Sequence, residues 1–318
     1  MPELKRLAIL DDYQDVTLSM GPWDRLPGLE KTVFRDTIAD REALVERLMP
    51  FDAILAMRER TPFPRALIER LPNLKLLITT GERNRGIDAE ACAERGIIFS
   101  GTPSFGAPTV DLTWGLILSL ARRIPEQVSA LHAGKWQTAL GVGLEGRTLG
   151  VVGLGKLGTK VAKVGQALGM KVIAWSTNLT AEAAAAVGAT RVEKQELFAQ
   201  ADVVTLHLIL SDRSRGIVGA AELAAMKPGA MLVNTSRGPL VDQPALLEAL
   251  HAGRIRAGID VYDIEPLPSD HPLLKAPNTV LTPHLGYVTE ENYRAYFQGA
   301  VEAIEAFQAG APIRVIKG

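Results

Sequence analysis

The sequence predicts an α/β fold with two separate parallel sheets. Short apolar runs alternate with helix-length amphipathic stretches, the runs fall into two series, and a break rich in glycine and proline separates the series. In the first series the strand candidates are residues 7–10, 32–34, 53–57, 74–79 and 97–99, with helices between them. The break at 100–108 concentrates residues that punctuate structure, and beyond it residues 110–122 read as a long apolar helix. The second series comprises 149–152, 171–175, 203–208, 230–234, 257–261 and 279–281, enough for a complete second sheet. Alanine-rich 181–186 reads as ordinary helix. After Pro283 one helical stretch remains, 290–308, too small to build a core of its own, so it is expected to cross back to the first domain. The chain is therefore expected to divide into 1–104, 105–286 and 287–318.

The bulk properties narrow the function classes. A length of 318 residues favours two domains over one. With 47% hydrophobic and 22% charged residues the chain is too apolar to be disordered. Lys+Arg at 35 against Asp+Glu at 36 leaves a formal charge of -1, so no global field draws it to nucleic acid or an anionic membrane. Cys92 is the single cysteine, which excludes an internal disulfide and a thiolate metal cluster, and no metal site is expected. The apolar run near the start is too short for a signal-peptide core or membrane span, and a cytoplasmic protein is expected.

The strongest local signal is Leu149-Gly-Val-Val-Gly153-Leu-Gly155-Lys-Leu-Gly158, a G-x-G-x-x-G directly after a strand and opening a helix that runs to Leu168. Gly153 permits the tight turn, Gly155 lets the backbone approach a pyrophosphate, and Gly158 lets helix and strand pack closely. The amides of the first helical turn, at Lys156 and Leu157, face the anion. The next strand ends at Ala174-Trp-Ser176-Thr177-Asn, with no carboxylate to hold the adenosine ribose and none to repel a 2′-phosphate. NAD and NADP both stay open, with a lean towards tolerance of NADP.

Three ionisable residues stand where a strand gives way to a loop: Arg237 in Val233-Asn-Thr235-Ser236-Arg-Gly-Pro, Glu265 in Asp260-Val-Tyr-Asp-Ile-Glu-Pro, and His284 in Thr282-Pro-His-Leu-Gly286. Ligands of open α/β sheets bind beyond the carboxyl ends of the strands, so these three are expected to converge. Together with Ala201-Asp-Val-Val-Thr-Leu-His207, Met226-Lys-Pro-Gly and Gly258-Ile-Asp-Val, in this order, they resemble the D-isomer-specific 2-hydroxyacid dehydrogenases, a family that includes phosphoglycerate dehydrogenases and glyoxylate or hydroxypyruvate reductases. The resemblance spans nearly the whole chain.

It implies two Rossmann-like domains, a doubly wound dinucleotide-binding domain inserted in a flavodoxin-like substrate domain. It further implies hydride transfer between NAD or NADP and C2 of a small 2-hydroxy or 2-oxo acid. By the same resemblance Arg237 anchors the substrate, His284 is the acid/base, Glu265 is its partner, and Asp260 meets the nicotinamide carboxamide. Ser176, Thr177, His207, Thr235, Ser236 and Gly286 join the glycine turn on the cofactor side, although His207 can equally serve packing, since Leu208-Ile209 replaces the family's usual continuation. The chemistry agrees: a carbonyl that gains a hydride gains negative charge, which calls for a proton donor and a fixed cation.

On the substrate side, Thr79-Thr80-Gly81-Glu82-Arg83-Asn84 occupies the place of the family's small, glycine-rich carboxylate loop, with charged residues in it. Ala56-Met-Arg58-Glu-Arg60-Thr resembles the arginine turn by which phosphoglycerate dehydrogenases hold an anionic substrate. Arg58, Arg60 and Arg83 are candidates to read a second acidic group. The apolar helix after Pro108 reads either as core or, as the resemblance implies, as a dimer surface, and a homodimer is expected. Two other readings stand beside the enzyme: a nicotinamide-sensing co-repressor of the same fold, and an oxidoreductase acting on something other than an acid.

Overall fold

Five parallel strands form the first sheet: β1 Arg6–Ile9, β2 Glu30–Val33, β3 Ala53–Ala56, β4 Leu76–Thr79 and β5 Ile98–Gly101. The structure, a computed structural model, describes residues 3–318. The strand order is β2-β1-β3-β4-β5, the flavodoxin-like doubly wound arrangement. β3 and β4 are buried at every position, as expected of strands covered by helices on both faces. Leu48, Ile54, Phe63, Leu67, Leu77 and Phe99 form the core between sheet and helices. Cys92 lies inside it, where burial pushes the thiol up to about 11.

The second sheet has seven parallel strands: β6 Thr148–Val152, β7 Lys171–Trp175, β8 Thr190–Arg191, β9 Val203–Leu206, β10 Met231–Asn234, β11 Arg256–Ile259 and β12 Thr279–Leu281. Their order is β12-β11-β10-β9-β6-β7-β8, the Rossmann order with one strand added at an edge. Val151 pairs with both Ala174 and Thr205, Thr205 with Val233, Val233 with Gly258, and Gly258 with Val280, so one row of partners crosses six strands. The helices Ala107–Arg122 and Lys156–Ala167 cover one face through Val110, Trp114, Ile117 and Val161. Leu197, Phe198, Leu223, Leu246 and Leu250 cover the other.

The chain divides into two compact units. One runs to Phe105 and resumes at Thr289–Gly318; the other is Gly106–Val288. The helix Glu290–Gln308 belongs to the first unit, in which Asn292 clips Phe105 by accepting its N–H at 2.7 Å. Two elements were not anticipated. β8 has only two residues and gives no periodic signal, and the helix Ile124–His132 buries none of its residues, leaving its apolar stripe of Ile124, Val128 and Leu131 at the surface. No helix among the described residues is long and apolar enough to cross a membrane.

Gly150 shows how tightly the second sheet is covered. A Cβ placed there would lie 2.7 Å from Leu197 Cδ2 and 2.9 Å from the Ala201 Cβ. Overpacking of this kind costs about 1–3 kcal/mol. Gly150→Ala is therefore expected to lower stability by about that amount, read as an earlier urea midpoint at unchanged slope; an unshifted midpoint would show that the helix can retreat freely.

Candidate active site

All strands of the second sheet run the same way, so the loops that follow β6, β9, β10, β11 and β12 leave from one edge. The strand order changes direction at β6, which is flanked by β7 on one side and β9 on the other. The glycine turn follows β6 at this switch point. Gly153 has φ +99°, a value that favours glycine, and a Cβ there would stand 2.7 Å from the His207 carbonyl oxygen. Gly158 is closer still: its Cβ would lie 2.0 Å from the Gly153 oxygen.

Gly155 behaves differently. Nothing lies within 4 Å of where its Cβ would project, and no side chain caps the helix Lys156–Ala167 that it begins. An open approach beside an uncapped helix N-terminus suits a pyrophosphate, whose oxygens take the place of a capping side chain. Lys156, Leu157 and Gly158 form the first turn of that helix. Ser176 is half-buried and Thr177 exposed at the end of β7. His207 N–H donates to the Val152 carbonyl at 2.8 Å, and its Nε2 shares a 3.0 Å hydrogen bond with the Thr205 hydroxyl. Burial pulls this imidazole down to about 4, so it is neutral at neutral pH and offers no cation to a phosphate.

The loop after β10 is shaped by Asn234, a buried residue whose role the motif alone does not reveal. Its side chain accepts from Ser236 N–H at 3.0 Å and donates to the Arg237 carbonyl at 2.8 Å, an Asx turn that aims Arg237 away from the strand. Ser236 adds a 2.6 Å bond to the Leu208 carbonyl, and the half-buried Arg237 guanidinium donates to the Ser236 carbonyl at 2.7 Å. Thr235 shares a 2.8 Å bond with Thr113 of the helix Ala107–Arg122. Gly238 packs on the loop after β11, since its Cβ would lie 2.2 Å from the Tyr262 carbonyl carbon.

His284 and Glu265 meet. His284 Nδ1 stands 2.5 Å from Glu265 Oε2, while Glu265 Oε1 accepts the Tyr262 N–H at 2.8 Å. Both side chains are about three-quarters buried, at 21% and 25% exposure, so water weakens their attraction less than at an open surface. The Tyr287 ring packs edge-on to the imidazole at 5.4 Å. Asp260, fully buried, accepts from the Thr282 hydroxyl at 2.6 Å, Leu285 N–H at 2.7 Å and Gly286 N–H at 2.9 Å. Burial nevertheless holds its carboxyl above the usual carboxylate range. The Gly286 carbonyl in turn accepts from Thr109 at 2.8 Å.

The substrate-side candidates lie in the first unit. Arg58 N–H donates to the Thr80 hydroxyl at 2.9 Å, and its guanidinium to the Thr80 carbonyl at 3.1 Å. The guanidinium lies over Gly81, where a Cβ would be 1.9 Å from Nη1. The Gly81 N–H already donates to Thr102 Oγ1 at 2.8 Å. Arg60 stacks on Tyr13, 4.4 Å from the ring centre, and donates to the Asp11 carbonyl at 2.6 Å. Arg83 is exposed on its loop. Arg58, Thr80 and Gly81 thus form one cluster, with Arg60 bound to Asp11 and Tyr13.

A family model described as the NAD binding domain of D-isomer specific 2-hydroxyacid dehydrogenases matches residues 114–286. The chain is 40% identical over 260 residues to a D-3-phosphoglycerate dehydrogenase of Methanocaldococcus jannaschii, covering 80% of this chain and 49% of that protein, about half its length. It is 31% identical over 325 residues to a hydroxypyruvate reductase of Blautia hydrogenotrophica, covering 98% and 99%. The crystal structure of a phosphoglycerate oxidoreductase from Vibrio cholerae o395 superposes with a TM-score of 0.92 at 42% identity, covering 96% of this chain and 100% of that one. By a match over more than half its residues and by relatedness along nearly its full length, the chain belongs to the D-isomer specific 2-hydroxyacid dehydrogenase family.

Proposed function

We propose that the protein transfers a hydride between NAD or NADP and C2 of a small D-2-hydroxy or 2-oxo acid, with His284 as acid/base, Glu265 as its partner and Arg237 as the substrate anchor. The observation that carries this reading is the 2.5 Å hydrogen bond from His284 Nδ1 to Glu265 at the sheet edge that also bears the glycine turn. When bound, the nicotinamide ring gives or accepts the hydride. Gly153, Gly155 and Gly158 with the amides of Lys156 and Leu157 hold the pyrophosphate, and Ser176 and Thr177 stand at the adenosine ribose. His207, Thr235, Ser236, Asp260 and Gly286 complete the cofactor side.

With Nδ1 engaged by Glu265, His284 exchanges its proton through Nε2, giving it to the substrate oxygen in reduction and taking it back in oxidation. Glu265 fixes the ring through that hydrogen bond. The Arg237 guanidinium offers a planar fork that matches a carboxylate in two parallel hydrogen bonds. The loop of Thr80 and Gly81 is proposed for the substrate carboxylate, and Arg58, Arg60 and Arg83 for a second acidic group. A co-repressor has no need of this acid/base pair, so turnover is favoured over partner binding.

Replacement of the acid/base in His284→Ala should lower kcat by a factor of about 10² or more while NADH binding, followed by fluorescence, persists. Near-normal turnover in that variant would refute the role. Because no carboxylate ends β7, NADH and NADPH should be oxidised with kcat/KM values within about tenfold of each other, or about 1.4 kcal/mol. The assay is run against glyoxylate, hydroxypyruvate, pyruvate, phenylpyruvate and phosphohydroxypyruvate. Turnover of none of these would sink the proposed reaction, and a large preference for one nucleotide would sink the tolerance.

The helix Ala107–Arg122, which suggests a homodimer from sequence, spends Trp114, Leu116 and Ile117 on the core of its own unit, so a second copy of the chain is proposed to cover instead the apolar surface of the helix Ile124–His132 and the segment after it. Ile124, Val128, Leu131, Trp136 and Leu140 there are 46%, 48%, 57%, 77% and 92% exposed. Sedimentation should give twice the chain mass, reverting to a single chain in Leu131→Asp/Trp136→Asp. A wild-type monomer at micromolar concentration overturns the dimer.

A further inference from the structure

His284 carries φ +54°, in the left-handed region that a residue with a side chain rarely adopts. Such a backbone persists only when its surroundings over-determine it. Five hydrogen bonds surround it here. Its own N–H donates to the Thr282 carbonyl at 3.0 Å. The next two amides, Leu285 and Gly286, donate to the two oxygens of Asp260 at 2.7 and 2.9 Å. The Thr282 hydroxyl donates to Asp260 Oδ1 at 2.6 Å, and the Tyr262 hydroxyl donates to the Thr282 carbonyl at 3.0 Å.

Thr282 takes part in three of these bonds, and through its hydroxyl and its carbonyl it joins Asp260 to the His284 amide from the N-terminal side, as the Leu285 and Gly286 amides do from the other. We propose that Thr282 is a positioning residue of this site: its hydroxyl holds the Asp260 carboxylate, its carbonyl holds the His284 amide, and together they fix the left-handed turn that presents the imidazole to Glu265. This rests on His284 being the acid/base. The Asp260 carboxylate is fully buried, and the hydroxyl is one of the donors that satisfies it. Without that donor the carboxylate must turn to find another partner, which loosens its hold on the amides of Leu285 and Gly286. The backbone of His284 is then free to relax towards an ordinary conformation, and the ring leaves Glu265.

Thr282→Val preserves shape and removes the donor; Thr282→Ser keeps the donor and removes a methyl group. The valine variant is expected to lose about tenfold or more in kcat, an effect of about 1.4 kcal/mol on the barrier. The serine variant is expected to restore most of the loss. Independently of turnover, the downfield proton resonance of the His284 to Glu265 hydrogen bond should be present in wild type and Thr282→Ser and weakened or lost in Thr282→Val.

A valine variant that keeps both kcat and the resonance overturns the proposal, as does a serine variant impaired as much as the valine one. Failure of the underlying reaction looks different: wild-type protein is then inactive towards every oxo acid, or His284→Ala is fully active, whatever the resonance does.

Discussion

One row of backbone pairing governs where the chemistry lies. Ala174, Val151, Thr205, Val233, Gly258 and Val280 are hydrogen-bonded neighbours across six parallel strands. Just past the ends of these strands stand Ser176, Gly153, His207, Thr235, Asp260 and Thr282. Parallel strands advance together, so these residues form the lip of the sheet at its carboxyl edge. A slip of one residue in any pairing would turn that strand's contribution to the opposite face. The precision of the site is thus inherited from main-chain hydrogen bonding and from the helices that press on the sheet.

The loops beyond that lip use polar groups in two ways. Asp260 is buried, and both its oxygens are engaged by the chain itself at Thr282, Leu285 and Gly286. Glu265, on the same loop and a quarter exposed, has one oxygen held by backbone and gives the other to an imidazole. The two histidines divide similarly. His207 is kept neutral by burial beside the glycine turn, whereas His284 has a carboxylate partner. Environment, rather than residue type, assigns each group its work.

Much of this was legible in the sequence, and what was not has a common cause. The strands at Lys171–Trp175 and Thr279–Leu281 and the helix Glu290–Gln308 begin and end where apolar period and turn residues place them. The glycine turn reads locally because its three glycines answer to constraints within a few residues. The roles of Asn234 and Thr282 do not, because their importance lies in bonds to carbonyls, amides and a carboxylate that pattern alone does not locate. Distant partners also decide the surroundings of Gly81, whose N–H donates to Thr102, and of Arg60, which is drawn onto Asp11 and Tyr13. Edge strand β8 escaped notice because two residues carry no period.

The lone thiol of Cys92 has a use that follows from its surroundings. It lies wholly inside the first unit's core and is pushed up to about 11, so the reactive thiolate is scarce and shielded while that unit is folded. Alkylation at this one position therefore keeps time with opening of that core. A cysteine introduced elsewhere can accept a fluorophore with little background from the native residue.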